Sequence, residues 1–293
     1  MKYPIRVLQV VTYMGRGGLE TMLMNYYRHI DHSKVQFDFL THREFEADYD
    51  KEILSLGGQI FHLSKLNPIS SSYKKELDEF FNSHQEYKVV HSHLDCMSGI
   101  PLKEARKCHI PYRIAHAHSS NQTKDIKYPL KLIFKRNITK NANYLFACGE
   151  QAGKWMFNTD NFKVLNNAID AKAYSFNSIF RESIRKEFHI PNESFVVGHV
   201  GRFMNPKNHT FIIDIFNQFH KNHPNSYLML VGEGELKTSI QDKVRTLGLE
   251  DYVIFTGLRS DVNELLQAMD VFLFPSLYEG LPVSIIEAQA AGL

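Results

Sequence analysis

Apolar and polar positions along this chain fall into blocks, and the blocks repeat in one order. Ile5-Arg6-Val7-Leu8-Gln9-Val10-Val11 is a short apolar run that predicts a strand. Met22, Leu23, Tyr26 and Tyr27 then recur on one side of a predicted helix. Val35, Phe37 and Phe39 begin a second strand, and Gln59–Leu63 supplies a third after Gly57-Gly58. Leu77, Phe80 and Phe81 mark a helix over about 73–84, and strands are predicted at Lys88–His93, Tyr112–His118 and Tyr144–Gly149. A second series follows: Phe195–Phe203, Tyr227–Val231, Tyr252–Gly257 and Val271–Phe274, the last expected as a buried parallel strand. Strands alternating with helices predict an α/β fold of doubly wound, Rossmann-like parallel sheets. The length of 293 residues fits two domains. The expected division is 1–170, a linker at 171–194 with one helix over Phe180–Phe188, and 195–293.

Composition narrows the class. Hydrophobic content of 43% and charged content of 23% are those of a globular chain, and a net charge of +2 does not suggest nucleic acid as partner. Cys96, Cys108 and Cys148 are odd in number and far apart, which reads as reduced thiols in a cytosolic protein. No signal peptide is expected before the first strand, and no apolar run is long enough to span a bilayer.

Candidate chemistry gathers where strands end, because open parallel sheets bind ligands beyond the carboxyl ends of their strands. Gly17 and Gly18 follow the first strand and would let backbone amides approach a phosphate; a plain glycine turn is the alternative. The stretch is not G-x-G-x-x-G, which disfavours a nicotinamide cofactor. Two strands end in His-x-His: His91 and His93, then His116 and His118. His93 and His118 are expected to face the crevice and His91 and His116 to be packed. A zinc site is disfavoured on the expectation that each pair diverges across its strand. Lys127, Lys131 and Lys135 recur at helical spacing among Leu130, Ile133 and Phe134. This is either a basic amphipathic helix lying on an anionic membrane or a core-facing helix with a solvated basic side. Arg202 and Lys207, five residues apart after a strand, suit a diphosphate, although two surface cations are the commoner case. Finally, Pro275-Ser276 stops the last strand, Gly280 permits a turn and Pro282 suits the first residue of a helix, whose free amides would favour an anion. Glu279 and Glu287 bracket that helix start; a capped helix with one exposed glutamate is the alternative reading.

In that order the Gly-Gly turn, the strand-end histidine, Gly201-Arg202-x4-Lys207 and Glu279-x7-Glu287 resemble the retaining family 4 glycosyltransferases, whose two Rossmann-like domains face each other across a cleft in the GT-B fold. Val164–Asp170 is similar to the family's Asn-Gly-Ile-Asp junction, with Ala168 in place of Gly. The resemblance implies an enzyme of the hexosyltransferase type, similar to those of bacterial exopolysaccharide and capsular polysaccharide assembly. It would move a sugar from a nucleotide diphosphate, expected to be UDP, to a glycan or lipid-linked acceptor, with retention and without a metal. By the same resemblance Gly17 and Gly18 face donor phosphates and acceptor. His118 lies near the donor sugar, and His93 is a second cleft position on the acceptor side. Arg202 and Lys207 clamp the diphosphate, Gly232 supplies a second glycine turn, and backbone near Phe255 reads the base. Glu279 with the amides of Gly280 and Leu281 contacts the sugar, and Glu287 holds the ribose. The implied place is the cytoplasm, peripherally on the inner face of the plasma membrane. The family pattern continues beyond Leu293 with further strands and helices, so the second domain is expected to be incomplete, C-terminally truncated and impaired in turnover. A non-catalytic nucleotide-sugar-binding partner subunit and a GT-B nucleotide-sugar epimerase are the competing readings.

Overall fold

The computed structural model describes residues 4–122, 126 and 128–293. It divides into two compact units, 1–168 with 279–281 and 169–278 with 282–293.

In the first unit, β1 (Ile5–Val10), β2 (Val35–Thr41), β3 (Ile60–His62), β4 (Val89–Ser92), β5 (Tyr112–Ala117), β6 (Tyr144–Ala147) and β7 (Lys163–Val164) form one parallel sheet among the described residues. Its order is β3-β2-β1-β4-β5-β6-β7, so the winding reverses between β1 and β4. Leu8, Val10, Val90, Ala115 and Ala147 bury one side of the sheet against Leu77 and Phe81 of the helix Ser71–Ser83 and Leu102 and Ala105 of the helix Gly99–Lys107. The second strand also carries one charge inward. Asp38 is fully buried, and it accepts from Arg6 Nε at 2.5 Å, Tyr87 Oη at 2.8 Å and the Gln59 amide at 2.7 Å. Those three donors satisfy a carboxylate that would otherwise be expensive to bury.

In the second unit, β8 (Phe195–Val200), β9 (Ser226–Val231), β10 (Val253–Gly257) and β11 (Val271–Phe272) form a parallel sheet in the order β10-β9-β8-β11. The winding again reverses at its first strand. The run 271–274 was expected to be buried, but it pairs over two residues only, at the sheet edge, with Val271 exposed. Beyond the ladder the Leu273 amide still donates to the Gly198 carbonyl at 2.8 Å, and the Leu273 carbonyl accepts from His199 Nδ1 at 2.8 Å.

Two further expectations are corrected. Residues 171–194, expected as a linker with one helix, do carry that helix but belong to the second unit. The helix Ser178–Glu187 packs Ile184, with Ile190 beyond it, into the same core as Val196, Leu265 and Leu266. Arg185, 1% exposed, threads that core and donates to the carbonyls of Ala268, Asn192 and Ser194 and to Asp270 Oδ2 at 2.8 Å. Asp270 in turn accepts from the Val196 amide at 2.7 Å, which ties the helix to the start of β8. The basic helix is the second correction. Lys127 lies outside the described residues. The helix Tyr128–Lys135 ends before a separate turn at Ile138–Asn141, and its exposed side chains are the apolar Pro129, Leu130 and Ile133. Lys131 is half-buried, and Lys135 turns inward, with Nζ 4.4 Å from the Trp155 ring centroid and donating to the Trp155 carbonyl. The ring face and carbonyl offset only part of the desolvation there, since burial still lowers the Lys135 pKa.

Replacing Arg185 by Met keeps the volume and orphans three carbonyls and part of Asp270. Loss of one partner from a buried charge network costs about 3–5 kcal/mol. A urea titration followed by circular dichroism should show a loss of that size; a change below about 1 kcal/mol, the range of surface substitutions, would contradict the role given to Arg185.

Candidate functional site

The first group of candidates sits at the carboxyl edge of the seven-stranded sheet, beside its point of reversal. Gly17 caps the helix Gly18–His29 with extended backbone, and no side chain caps the helix start. Gly18 is exposed, and a Cβ there would meet nothing. At Gly17 the amide donates to the Gly15 carbonyl at 3.2 Å and the Glu20 carboxylate lies where a Cβ would, so of the two glycines Gly18 is the open one.

The histidines depart from expectation. Residues i and i+2 of a strand share a face, so His91 and His93 point the same way, as do His116 and His118; the expected divergence had the wrong parity. β4 and β5 are parallel with His91 level with Ile114, which places all four imidazoles on one face. They form a stack: ring centroids lie 4.1 Å apart for His91 and His93 and 4.2 Å apart for His116 and His118. Phe146 meets His91 and His116 edge-on. His91 Nε2 lies 3.2 Å from His116 Nδ1, and His93 Nδ1 lies 2.8 Å from His118 Nε2. His91, His93 and His116 are buried and His118 is half-buried. Burial is the chief cause that lowers all four pKa values, His116 to about 3. The rings are neutral at pH 7. Nitrogens of His91, His93 and His116 all lie within 4.8 Å of one another, the grouping of a possible metal set. His93 has both nitrogens engaged, the second by Gln9 Oε1 at 2.8 Å, so a metal would have to displace those bonds.

The segment 279–281 belongs to this unit. The Ser120 hydroxyl donates to the Glu279 carbonyl, and Asn167 Nδ2 donates to the Leu281 carbonyl at 2.5 Å. A Cβ at Gly280 would overlap the His118 carbonyl and Cys148 Sγ, so only glycine fits. Glu279, Gly280, Leu281 and His118 are thus brought together. Burial raises the Cys148 thiol to about 11, which keeps it protonated. All three cysteines are buried and unpaired.

Two polar residues here escaped the sequence reading. Gln9 is 1% exposed in the middle of an apolar strand, a pattern that could have flagged it. Asp95 adopts φ 46°, rare for a residue with a Cβ, and burial of its carboxylate raises its pKa to about 6. Nothing in the local sequence marks that conformation. A cavity of about 780 Å³ in the same unit, lined by residues such as Arg136, Tyr144, Phe157 and Lys163, shares none of these side chains.

In the second unit the reversal point again gathers the candidates. Arg202 follows β8, its side chain 60% exposed and 3.6 Å from Glu235. Lys207 ends the turn Asn205–Lys207, with Nζ 5.2 Å from the Phe274 ring centroid. Gly232 follows β9 at φ 140°, where a Cβ would collide with the Gly201 carbonyl; this contact sets the loop of Arg202 against the second glycine turn. Phe255 turns its ring inward against Phe203, 5.9 Å between centroids, which leaves its backbone as the group for a ligand. Glu287 is not an exposed carboxylate: it is 6% exposed within the helix Val283–Ala290, where burial raises its pKa, and it accepts from Tyr174 Oη at 2.8 Å. Tyr174 was not foreseen. Pro282 is the N-cap of that helix, not its first residue.

A family model described as glycosyl transferases group 1 matches residues 180–293. EpsF of Bacillus subtilis, which carries the name of a glycosyltransferase, is 37% identical over 98% of this chain and 77% of its own length. The capsular polysaccharide biosynthesis glycosyltransferase CapH of Staphylococcus aureus is 25% identical over 97% of this chain and 79% of its own. Among solved structures, Anabaena Alr3699/HepE in complex with UDP and glucose superposes with a TM-score of 0.80, at 19% identity and over 98% of this chain and 79% of that one. WaaG, a glycosyltransferase involved in lipopolysaccharide biosynthesis, gives 0.71 at 18%, with the same coverage. At these identities the structural likeness is one of fold: an α/β chain with parallel sheets, as in the GT-B glycosyltransferases.

The neutral imidazoles make stability pH-dependent. Their folded pKa values lie below the unfolded value near 6.5, so the unfolded chain binds more protons below that pH and stability is lost as pH falls. Each ring contributes up to about 1.4 kcal/mol per pH unit below ~6.5. Asp95, raised, acts oppositely through about pH 6, but the rings outnumber it. Denaturation midpoints should drop between pH 7 and 5, and His91→Gln should flatten the slope; a pH-independent midpoint would contradict the neutral stack.

Proposed function

The chain belongs to the glycosyl transferases group 1 family, and from that membership we propose that it transfers a hexose from UDP, with retention at the anomeric carbon, to a glycan or lipid-linked acceptor of a cell-surface polysaccharide. The observation that carries the donor assignment is the loop after β8. It holds Arg202 and Lys207 at the carboxyl edge of a parallel sheet, fixed by the close packing of the glycine turn at Gly232 and Gly234 against the backbone of Gly201 and Phe203. The solved relatives that hold UDP or UDP-glucose support a uridine nucleotide. So does an Escherichia coli relative, 27% identical over 71% of this chain, named as a UDP-Gal:α-D-GlcNAc-diphosphoundecaprenol α-1,3-galactosyltransferase.

In this reading the glycosidic C–O bond breaks as negative charge grows on the leaving diphosphate. Arg202 and Lys207 stabilise that charge, helped by the amides of Gly280 and Leu281. Glu279 and His118 orient the sugar, His93 supports the acceptor side, and Glu287 takes the ribose hydroxyls. The acceptor hydroxyl attacks from the face the diphosphate leaves, and the diphosphate takes its proton. Two side-chain cations meet the charge that a divalent metal would otherwise meet, so no metal is assigned.

Calorimetric titration with UDP tests this. Charge-assisted hydrogen bonds are worth about 1.5–3 kcal/mol, so Arg202→Ala and Lys207→Ala should each weaken UDP about tenfold or more, and EDTA should change neither affinity nor transfer. Wild-type affinity in both variants would overturn the clamp; loss in EDTA that Mg²⁺ restores would overturn the metal-free reading.

A lipid-linked acceptor brings the chain to a membrane. The side chains assigned to that contact are the exposed Leu130 and Ile133 instead of the lysines. Vesicle co-sedimentation should then fall in the double variant Leu130→Gln, Ile133→Gln and vary little with salt; binding abolished by salt alone would return the contact to the cations.

A further inference from the structure

The imidazole stack contains an ordered hydrogen-bond chain that runs from Gln9 through His93 to His118. Gln9 lies on β1, level with His91 of β4. Its Oε1 is 2.8 Å from His93 Nε2, and His93 Nδ1 is 2.8 Å from His118 Nε2. Gln9 and His93 are buried, and His118 is the member that reaches the part-exposed edge.

A neutral imidazole carries one N–H, so each bond in this chain dictates the next. A carbonyl oxygen only accepts; facing Gln9 Oε1, His93 must carry its proton on Nε2. Its Nδ1 is then a lone pair and must accept. His118 therefore carries its proton on Nε2 and donates it to His93. His118 Nδ1 is left as an acceptor, and no group among the described residues bonds it.

We propose that Gln9 and His93 are positioning residues that lock His118 in the Nε2–H tautomer, so that its Nδ1 accepts a hydrogen bond from a sugar hydroxyl. The proposal rests on the reading that His118 meets the sugar, but the tautomer itself does not. An acceptor held in one orientation before the ligand arrives needs no reorganisation during transfer. In the same chain both nitrogens of His93 are engaged, so a metal held by His91, His93 and His116 would have to break one of its bonds.

Long-range ¹H–¹⁵N spectra of the full chain labelled in histidine read the proton position in each ring without any ligand. His118→Gln and His93→Gln identify the two signals. The expected result at pH 7 is Nε2–H for both rings, with His118 losing its single tautomer in Gln9→Met and keeping it in Gln9→Glu, whose carboxylate only accepts. A proton on His118 Nδ1, or signatures unchanged by Gln9→Met, would overturn the proposal. So would a stoichiometric zinc in the purified chain that EDTA removes and His91→Gln loses. In transfer assays Gln9→Met should lower kcat about tenfold, the worth of one misplaced hydrogen bond, with KM for the donor nearly unchanged and recovery in Gln9→Glu. A fall in UDP affinity instead would make Gln9 merely structural. A chain that shows the tautomer but no transfer would fail the function and keep the lock.

Discussion

Within each sheet every described strand runs parallel to its neighbours, and the rest of each unit follows from that constraint. Parallel pairing sends each connection over a face of the sheet, so all strand ends that bear loops for chemistry lie along one edge. Reversal of the winding between β1 and β4, and again between β8 and β11, parts the connections at one point of each edge. The glycine turn and the histidines gather at the first point. The Arg202–Lys207 loop gathers at the second. Parallel register also makes the histidine stack: two short strands, each ending in His-x-His and paired nearly level, cannot avoid placing four rings on one face.

What the sequence made legible was local. The apolar runs marked the strands because a buried parallel strand is apolar on both faces. Gly17, Gly18, Arg202, Lys207 and Gly280 could be singled out as candidates because glycine turns and charge are properties of one short loop. What it concealed depended on partners far along the chain. An exposed glutamate stayed open as the alternative reading because the partner of Glu287, Tyr174, lies 113 positions away. Residues 171–194 looked like a tether because Arg185 finds its partners beyond residue 190 and near residue 270. The lysines of the helix Tyr128–Lys135 looked solvated because Trp155 could not be placed opposite Lys135 from helical periodicity alone. The misreading of the histidines was of another kind, a wrong parity in a strand whose period the sequence states plainly.

Both units carry buried imidazoles close to their loops of interest. His199 and His209 lie near the Arg202–Lys207 loop, stacked with Phe203 and Phe274, and burial lowers them to about 3 and 4. Neutral rings are flat, polar and rigid, and they fill space beside a charged loop without adding charge to it. Lysine or arginine in those places would repel the cations nearby, and an aliphatic side chain would leave the Leu273 carbonyl without a donor.

Trp155 is the only tryptophan in the chain, and the ammonium of Lys135 rests on its face. An indole's emission responds to a cation at its ring and to the water around it. The protein therefore carries a built-in optical probe at one place, the seat of the helix Tyr128–Lys135. Whatever lifts that helix, whether a lipid surface or an acceptor, changes the colour or the brightness of the chain's own light, and no dye need be attached to see it.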